Sequence, residues 1–308
     1  MALLTAGCKS EKYATPVPNG PRAAELTIAH APVMIGVGDI AVCGTNGDEA
    51  TGRLVDSLMV ADSSAGLSTV VATFGDNAYP SGNASVKDDF PRCFAPSWGK
   101  KRIMDVIRPS PGNHDFDSST GEPYYSYFGT RAGPAGRGYF SYDVGAWHVV
   151  SLNSEVYFEH FDKQQAQVQE DWLRNDLAAN KALCTMAYFH RPYFSSGVYG
   201  TTKQMRPLWE ILYAAKADLV LNGHEHDYER FLPQNASGGA DSSGLEQIIV
   251  GTGGGDLRGL NDTPAPNSAY RIQGRFGVLK LSLGDSGYTH AFIDTVGRVW
   301  DPGQRKCH

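Results

Sequence analysis

The sequence predicts a mixed α/β sandwich. Three observations carry that reading. The first third of the chain alternates strand, helix and strand, and each strand stops at a Gly-Asp pair. The last third reads as hairpins joined by Gly-rich turns. No internal repeat and no convincing linker divides residues 30–308, so 31–308 reads as a single folded domain.

The elements follow in order. Val33 to Gly38 is a short apolar run ended by Asp39, as expected of a buried strand. Residues 49–61 set Leu54, Val55, Leu58 and Met59 on one helical face. Ser68 to Phe74 is β-branched and apolar and runs into Gly75-Asp76. Met104 to Pro111 is a third apolar run, leading into Gly112-Asn113. Residues 138–152 alternate and carry aromatics, which predicts a hairpin turning near Gly145. Residues 162–179 read as a helix with Val168, Trp172, Leu173 and Leu177 on one buried face. Leu183 to Phe189 is a strand ended by His190, Lys203 to Ala217 a helix, and Leu219 to Leu221 a strand ended by Gly223-His224. Further strands are expected at 246–251, 276–283 and 288–294.

Composition narrows the class. Of 308 residues, 41% are hydrophobic and 19% charged, values of a folded soluble chain. Gly (35) and Pro (17) make up about a sixth of it, which indicates many loops. A net charge of −6 and the lack of any Lys/Arg run give no electrostatic case for nucleic-acid binding. No stretch approaches the roughly 20 apolar residues of a membrane-spanning helix.

Residues 1–30 read as a truncated signal and flexible tether. Ala6-Gly7-Cys8 after a short apolar stretch resembles the cut end of a bacterial lipoprotein signal, making Cys8 a candidate lipid anchor. The expected location is therefore exported: periplasmic, outer-membrane-anchored or extracellular. Cys43, Cys93, Cys184 and Cys307 have no zinc-type spacing. Two disulfides and isolated thiols both fit. A Cys43–Cys93 pair is the favoured one, because both residues lie in loops just after candidate ligand motifs.

Five short segments end apolar runs with metal-binding side chains: Gly38-Asp39, Gly75-Asp76-Asn77-Ala78-Tyr79, Gly112-Asn113-His114-Asp115, His190 and Gly223-His224-Glu225-His226. Each alone has a bland reading as a turn, a packing tyrosine or a surface histidine. Five in this order are hard to obtain by chance. Together Asp39, Asp76, Tyr79, Asn113, His190, His224 and His226 supply enough ligands for two metal ions. Such a pair suits attack on a phosphate ester by a metal-bound hydroxide. Asp76 is the expected bridge, since a shared carboxylate offsets cation repulsion. A phenolate from Tyr79, whose ordinary pKa is near 10, favours Fe(III) over Zn or Mn(II). The neutral amide of Asn113 suits a divalent ion.

This set resembles the calcineurin-like metallophosphoesterases, and Tyr79 aligns it with the purple acid phosphatase branch. His190-Arg191-Pro192 and Tyr228-Glu229-Arg230 strengthen the match, which covers roughly residues 32–294. The resemblance implies an α/β (α+β) fold, a four-layer sandwich of two mixed β-sheets flanked by helices, with 31–308 as the catalytic domain. It implies Asp39, Tyr79 and His226 on an Fe(III) ion. Asn113, His190 and His224 would hold Fe(II), Zn or Mn, with Asp76 bridging. His114 would contact the phosphate or protonate the leaving group, and Asp115 would hold its imidazole. Asn113, His114 and Arg191 are the expected substrate contacts, and Arg230 and Arg258 are further candidate donors. Ala41 stands where the family's first motif has Gly, which leaves the shape of that loop open.

The implied activity is hydrolysis of small phosphate monoesters. A phosphodiesterase on the same scaffold, acting on nucleotide or phospholipid diesters, is the alternative. The rim of the pocket decides between them, and the candidate rim segments are 118–137, 193–202 and 253–267. No protein partner is expected.

Overall fold

The computed structural model describes residues 30–79, 89–117, 120–158 and 161–308. The strands of the first half are β1 (Val33–Val37), β2 (Thr69–Phe74), β3 (Ile107–Ser110), β4 (Phe140–Val144), β5 (Trp147–Ser151) and β6 (Cys184–Tyr188). Those of the second half are β7 (Leu219–Asn222), β8 (Tyr228–Gln234), β9 (Leu245–Val250), β10 (Ser268–Ile272), β11 (Gly277–Gly284), β12 (Gly287–Asp294) and β13 (Val299–Lys306). One sheet has the order β13-β12-β11-β1-β2-β3 and the other β10-β8-β9-β7-β6-β5-β4. Both are mixed: β1, β2 and β3 run parallel, as do β5, β6, β7 and β9, with antiparallel strands outside them.

Helix α1 (Gly47–Ser64) packs against β2 and β11 on the outer face of the first sheet. Its core side is Val55 and Met59, with Leu54 and Leu58 partly buried beside them. Shorter helices α2 (Lys101–Val106) and α3 (Glu122–Phe128) follow. Helices α4 (Lys163–Ala179) and α5 (Arg206–Ala214) cover the second sheet, over a cluster that includes Val150, Leu173, Ala187, Leu208 and Val220. The larger core fills the space between the sheets and draws on both, from Ile35 and Val71 to Met186, Leu219 and Ile248. Burying each such side chain contributes roughly 1.5–3 kcal/mol. The result is the four-layer sandwich. Strands covered on both faces carry continuous apolar runs, as all five buried residues of β1 do.

Register positions the site. Val37 lies opposite Thr73, and Phe74 opposite Ser110, so β1, β2 and β3 end near one level. Tyr188 lies opposite Leu221, so β6 and β7 do the same in the other sheet. Residues just beyond these carboxyl ends converge between the sheets, the usual site location in open α/β folds.

Three expectations need correction. Met104 to Val106 belong to α2, not to a strand. The buried pair there is Ile103 and Ile107, four apart, and a Lys101–Asp105 ion pair supports the turn. Val168 is 58% exposed, so the buried face of α4 is rotated from the expected stripe. Gln169 is inside instead, where its amide accepts from the Asn153 N–H (2.8 Å) and donates to the Asn153 carbonyl (2.9 Å). Strands β8, β10 and β13 were not foreseen. Two disulfides form, Cys43–Cys93 as favoured and Cys184–Cys307. The signal and tether expected over 1–30, with Cys8, lie outside the described residues apart from His30.

Candidate metal centre

All seven expected ligands meet at the carboxyl ends of β1, β2, β3, β6 and β7. The backbone there is unusual. Asp39 (φ 61°), Asp76 (φ 48°) and His224 (φ 70°) are left-handed although none is glycine. Each such residue costs on the order of 1–2 kcal/mol, a strain that clusters at functional sites. The preceding glycines serve another purpose at Gly112, where a Cβ would sit 2.3 Å from the Asp76 backbone nitrogen. Gly75 combines a positive φ of 83° with a Cβ position 2.5 Å from the His190 side chain.

Hydrogen bonds continue the sheet into these loops. Asp39 N–H donates to the Gly75 carbonyl (3.0 Å), Ile40 N–H to Asp76 (2.9 Å) and Ala41 N–H to Asn77 (3.1 Å). Ala41 in turn accepts from the Tyr79 N–H at 2.9 Å, so alanine holds the tyrosine segment without difficulty.

The side chains form two triads. In one, Tyr79 Oη lies 2.9 Å from Asp39 Oδ1 and 3.1 Å from His226 Nε2, and His226 Nε2 lies 3.1 Å from Asp39 Oδ1. In the other, His190 Nε2 lies 3.1 Å from Asn113 Oδ1 and 3.2 Å from His224 Nδ1. Asp76 stands between them, with Oδ2 3.2 Å from His190 Nε2. Ligand atoms of Asp39, Asp76 and His190 all lie within 4.8 Å of one another.

The donor set fits cations. His190 Nδ1 is committed as a donor to the Phe74 carbonyl (2.8 Å), and His226 Nδ1 to the Asp256 carbonyl (2.5 Å). That tautomer turns each Nε2 lone pair inward, toward carboxylate, phenol and amide oxygens. Tyr79 Oη donates to Asp39, but the remaining lone pairs face one another in a buried site and call for positive charge between them, a proton on His190 or a bound cation.

Electrostatics agree. Burial alone would raise Asp76, but the His190 and His114 imidazoles outweigh it and hold the carboxyl far below the usual range. Burial opposes charge on His190, yet Asp76, then Asp39 and Glu155, push it up to about 9. Burial, then His190 and Arg191, hold His224 well below its ordinary value. Burial and the charges of Asp39 and Asp76 raise the Tyr79 phenol well above 10.

His114 and Asp115 differ from expectation. His114 N–H donates to Asp76 Oδ1 (2.8 Å), and its ring stands on the rim beside Tyr79. Its Nδ1 pairs with Asp117 Oδ2 at 2.9 Å, not with Asp115. Asp115 is fully buried and turned away. It accepts from Gly112 N–H (2.8 Å), Asn77 Nδ2 (2.9 Å) and Asn77 N–H (3.1 Å), tying two ligand segments together. Burial and the Asp76 charge push Asp115 up to about 7. An acid immediately after histidine looked like its partner, but the helical turn over His114–Phe116 brings the residue three later to the ring.

Arg191 lines the opening beside His224, with Nη1 3.2 Å from His224 Nε2. Glu155 holds its Nε through both carboxylate oxygens at 3.0 Å, and Phe158 packs under the guanidinium at 4.1 Å. Arg230 pairs with Asp301 deep in the fold, and Arg258 donates to the His224 carbonyl. Both are structural. Glu225, between the two histidines, accepts from Tyr199 and Gly200 N–H (both 2.9 Å) and so ties the rim to the metal segment. Glu155 carried no sequence signal. Asp117 and Glu225 sat within or beside the motifs.

Residues 34–228 match the family model described as calcineurin-like phosphoesterase. Human acid phosphatase type 7 is 29% identical over 265 residues, covering 74% of this chain and 58% of that protein. Purple acid phosphatase 22 of Arabidopsis thaliana is 29% identical over 234 residues, covering 70% and 51%. The chain thus spans a little over half the length of these relatives. Among solved structures, the yellow lupin purple acid phosphatase PPD1 superposes with a TM-score of 0.73 at 18% identity, covering 90% of this chain and 54% of that one. A Plasmodium protein described as GAP50, the anchor in the inner membrane complex, does so at 0.70 and 14%, covering 90% and 89%.

Proposed function

The chain belongs to the calcineurin-like phosphoesterase family, and on that premise we propose that it hydrolyses phosphate monoesters, as an acid phosphatase does. The observation that carries this reading is the pair of triads on either side of Asp76, with Arg191 beside His224 of one and His114 beside Tyr79 of the other. Fold alone does not decide activity, since the Plasmodium anchor protein shares it.

Asp39, Tyr79 and His226 would hold one ion, and Asn113, His190 and His224 the other, with Asp76 common to both. Such a pair supplies a nucleophilic water at neutral pH and neutralises phosphate charge. The rest falls to the protein. Arg191, aimed by Glu155 and Phe158, binds a phosphate oxygen. His114, whose charged form Asp117 favours against burial, donates through Nε2 to the phosphate or the departing oxygen. The raised Tyr79 phenol yields its proton only to a strongly acidic ion, which supports Fe(III) in that triad and Fe(II), Zn or Mn in the other. The two disulfides support an exported protein in an oxidising compartment. No described helix is long and apolar enough to cross a membrane.

The test compares kcat/KM for an aryl phosphate monoester and its matching diester, with metal assayed on the same sample. A strong monoester preference with two metals per chain is expected. A diester preference would move the function to nucleotide or phospholipid diesters, and two metals without turnover of either would indicate a binding protein.

A further inference from the structure

Beside the metal ligands a cavity of ≈ 390 Å³ opens, lined by Asn113, Arg191, Tyr199, Thr201, Thr202, Gln204 and His224. Asn113 and His224 form its metal side, and Arg191 is the one cation among these residues. The remaining wall comes from a single segment, 199–204. Its Tyr, Thr, Thr and Gln side chains are all uncharged and all able both to donate and to accept hydrogen bonds. Thr201, Thr202 and Gln204 form no side-chain hydrogen bond with another described residue.

The wall is preformed. Glu225 fixes the Tyr199 and Gly200 amides, and the Thr202 N–H donates to the Tyr193 carbonyl at 3.0 Å. The Tyr199 ring stacks on His224 at 4.8 Å and 22° and carries Arg258 at 4.8 Å. With His114 donating to the phosphate, an ester whose phosphate sits between the metal ligands and Arg191 would have its substituent against this wall. Hydroxyl groups, which donate and accept, match it. Lys203, in the same segment, is exposed and does not line the cavity, so a second phosphate finds no cation in this lining besides Arg191, and a lipid chain would leave the wall's polar groups unpaired.

We infer that segment 199–204 is a leaving-group subsite and that the substrates are monoesters of hydroxyl-rich alcohols, of polyol or sugar type. This rests on the monoesterase reading above. The test compares glycerol phosphate with n-propyl phosphate, which match in chain length and differ in two hydroxyls. The enzyme should favour glycerol phosphate about thirtyfold in kcat/KM, the effect of two neutral hydrogen bonds of ordinary net strength. In a T201V/T202V/Q204L variant the ratio should fall toward one, with metal content kept. Equal use of the two esters by the unaltered enzyme, or an unchanged ratio in the variant, overturns the inference. Turnover of the aryl monoester alone also overturns it while leaving the monoesterase reading intact. Turnover of no monoester removes both.

Discussion

Replacing Asp115 separates its role from that of its neighbour His114. Its carboxylate is fully buried and collects three donors: Gly112 N–H at 2.8 Å, Asn77 N–H at 3.1 Å and Asn77 Nδ2 at 2.9 Å. Asn77 Nδ2 also reaches the Ser110 carbonyl at 3.0 Å. Asp115→Ala therefore orphans two buried donors outright. At about 1–3 kcal/mol each, the loss is roughly 2–6 kcal/mol. Asp115→Asn keeps the oxygen that serves Gly112, Asn77 Nδ2 and, at 3.3 Å, the Asn77 N–H, and loses only the shorter 3.1 Å contact of that N–H, so its cost should be about 1 kcal/mol. Urea unfolding of the metal-loaded protein reads both values from the shift in midpoint. Metal affinity should fall with stability, because Asn113 and Asp76 lie on the segments Asp115 joins. At saturating metal, the alkaline limb of the pH–rate profile should stay in place. An Asp115→Ala protein as stable as the parent, yet as inactive as His114→Ala, would refute this reasoning and return Asp115 to the histidine.

Three further outcomes follow from particular contacts. Burial lowers the His114 pKa, but Asp117 and then Asp76 outweigh it and hold it above 6.5; a proton donor stops working as pH rises through its pKa, so Asp117→Asn should move the alkaline limb of kcat to lower pH, and an unmoved limb would remove Asp117 from the donor's control. Despite burial, Asp176 and Asp143 raise His148, while His148 and Ser141 lower Asp176. The His148 contribution is complete below 6.5 and lost as pH rises through its folded value; that of Asp176 is lost as pH falls below the ordinary carboxylate range. Thermal melts should show the parent losing more stability than His148→Gln between about pH 5 and pH 8, and parallel losses would contradict the pairing. Cys43–Cys93 closes a loop of 50 residues, so a Cys43→Ser/Cys93→Ser protein should lose about 4 kcal/mol in urea melts; no loss would mean the unfolded chain is already constrained there.

Much of the centre was legible because its chemistry and its topology share one signal. A parallel strand buried on both faces must be a continuous apolar run, and its carboxyl end is where a ligand belongs. Asp39, Asp76, Asn113, His190 and His224 all follow such runs. Strand β13 shows the converse. It pairs only with β12 at a sheet edge, carries Pro302, and alternates too weakly to be seen. Val168 and Gln169 show why helical stripes mislead by one residue: a buried backbone at Asn153 needed an amide more than the core needed a valine. The sequence reading assigns Asp115 the contact that Asp117 makes, because adjacency does not reveal which carboxylate a tight helical turn brings to a ring. Glu155 lies 36 positions from the arginine it orients, a distance at which one sequence carries no pairing information.

The most direct test of the account is metal stoichiometry by elemental analysis on the parent and on Asp76→Ala, each checked for folding by its unfolding transition. Two ions per chain in the parent, and loss of both in the folded variant, are predicted. A folded Asp76→Ala protein that still holds two ions would contradict the shared-carboxylate centre on which the proposed activity depends.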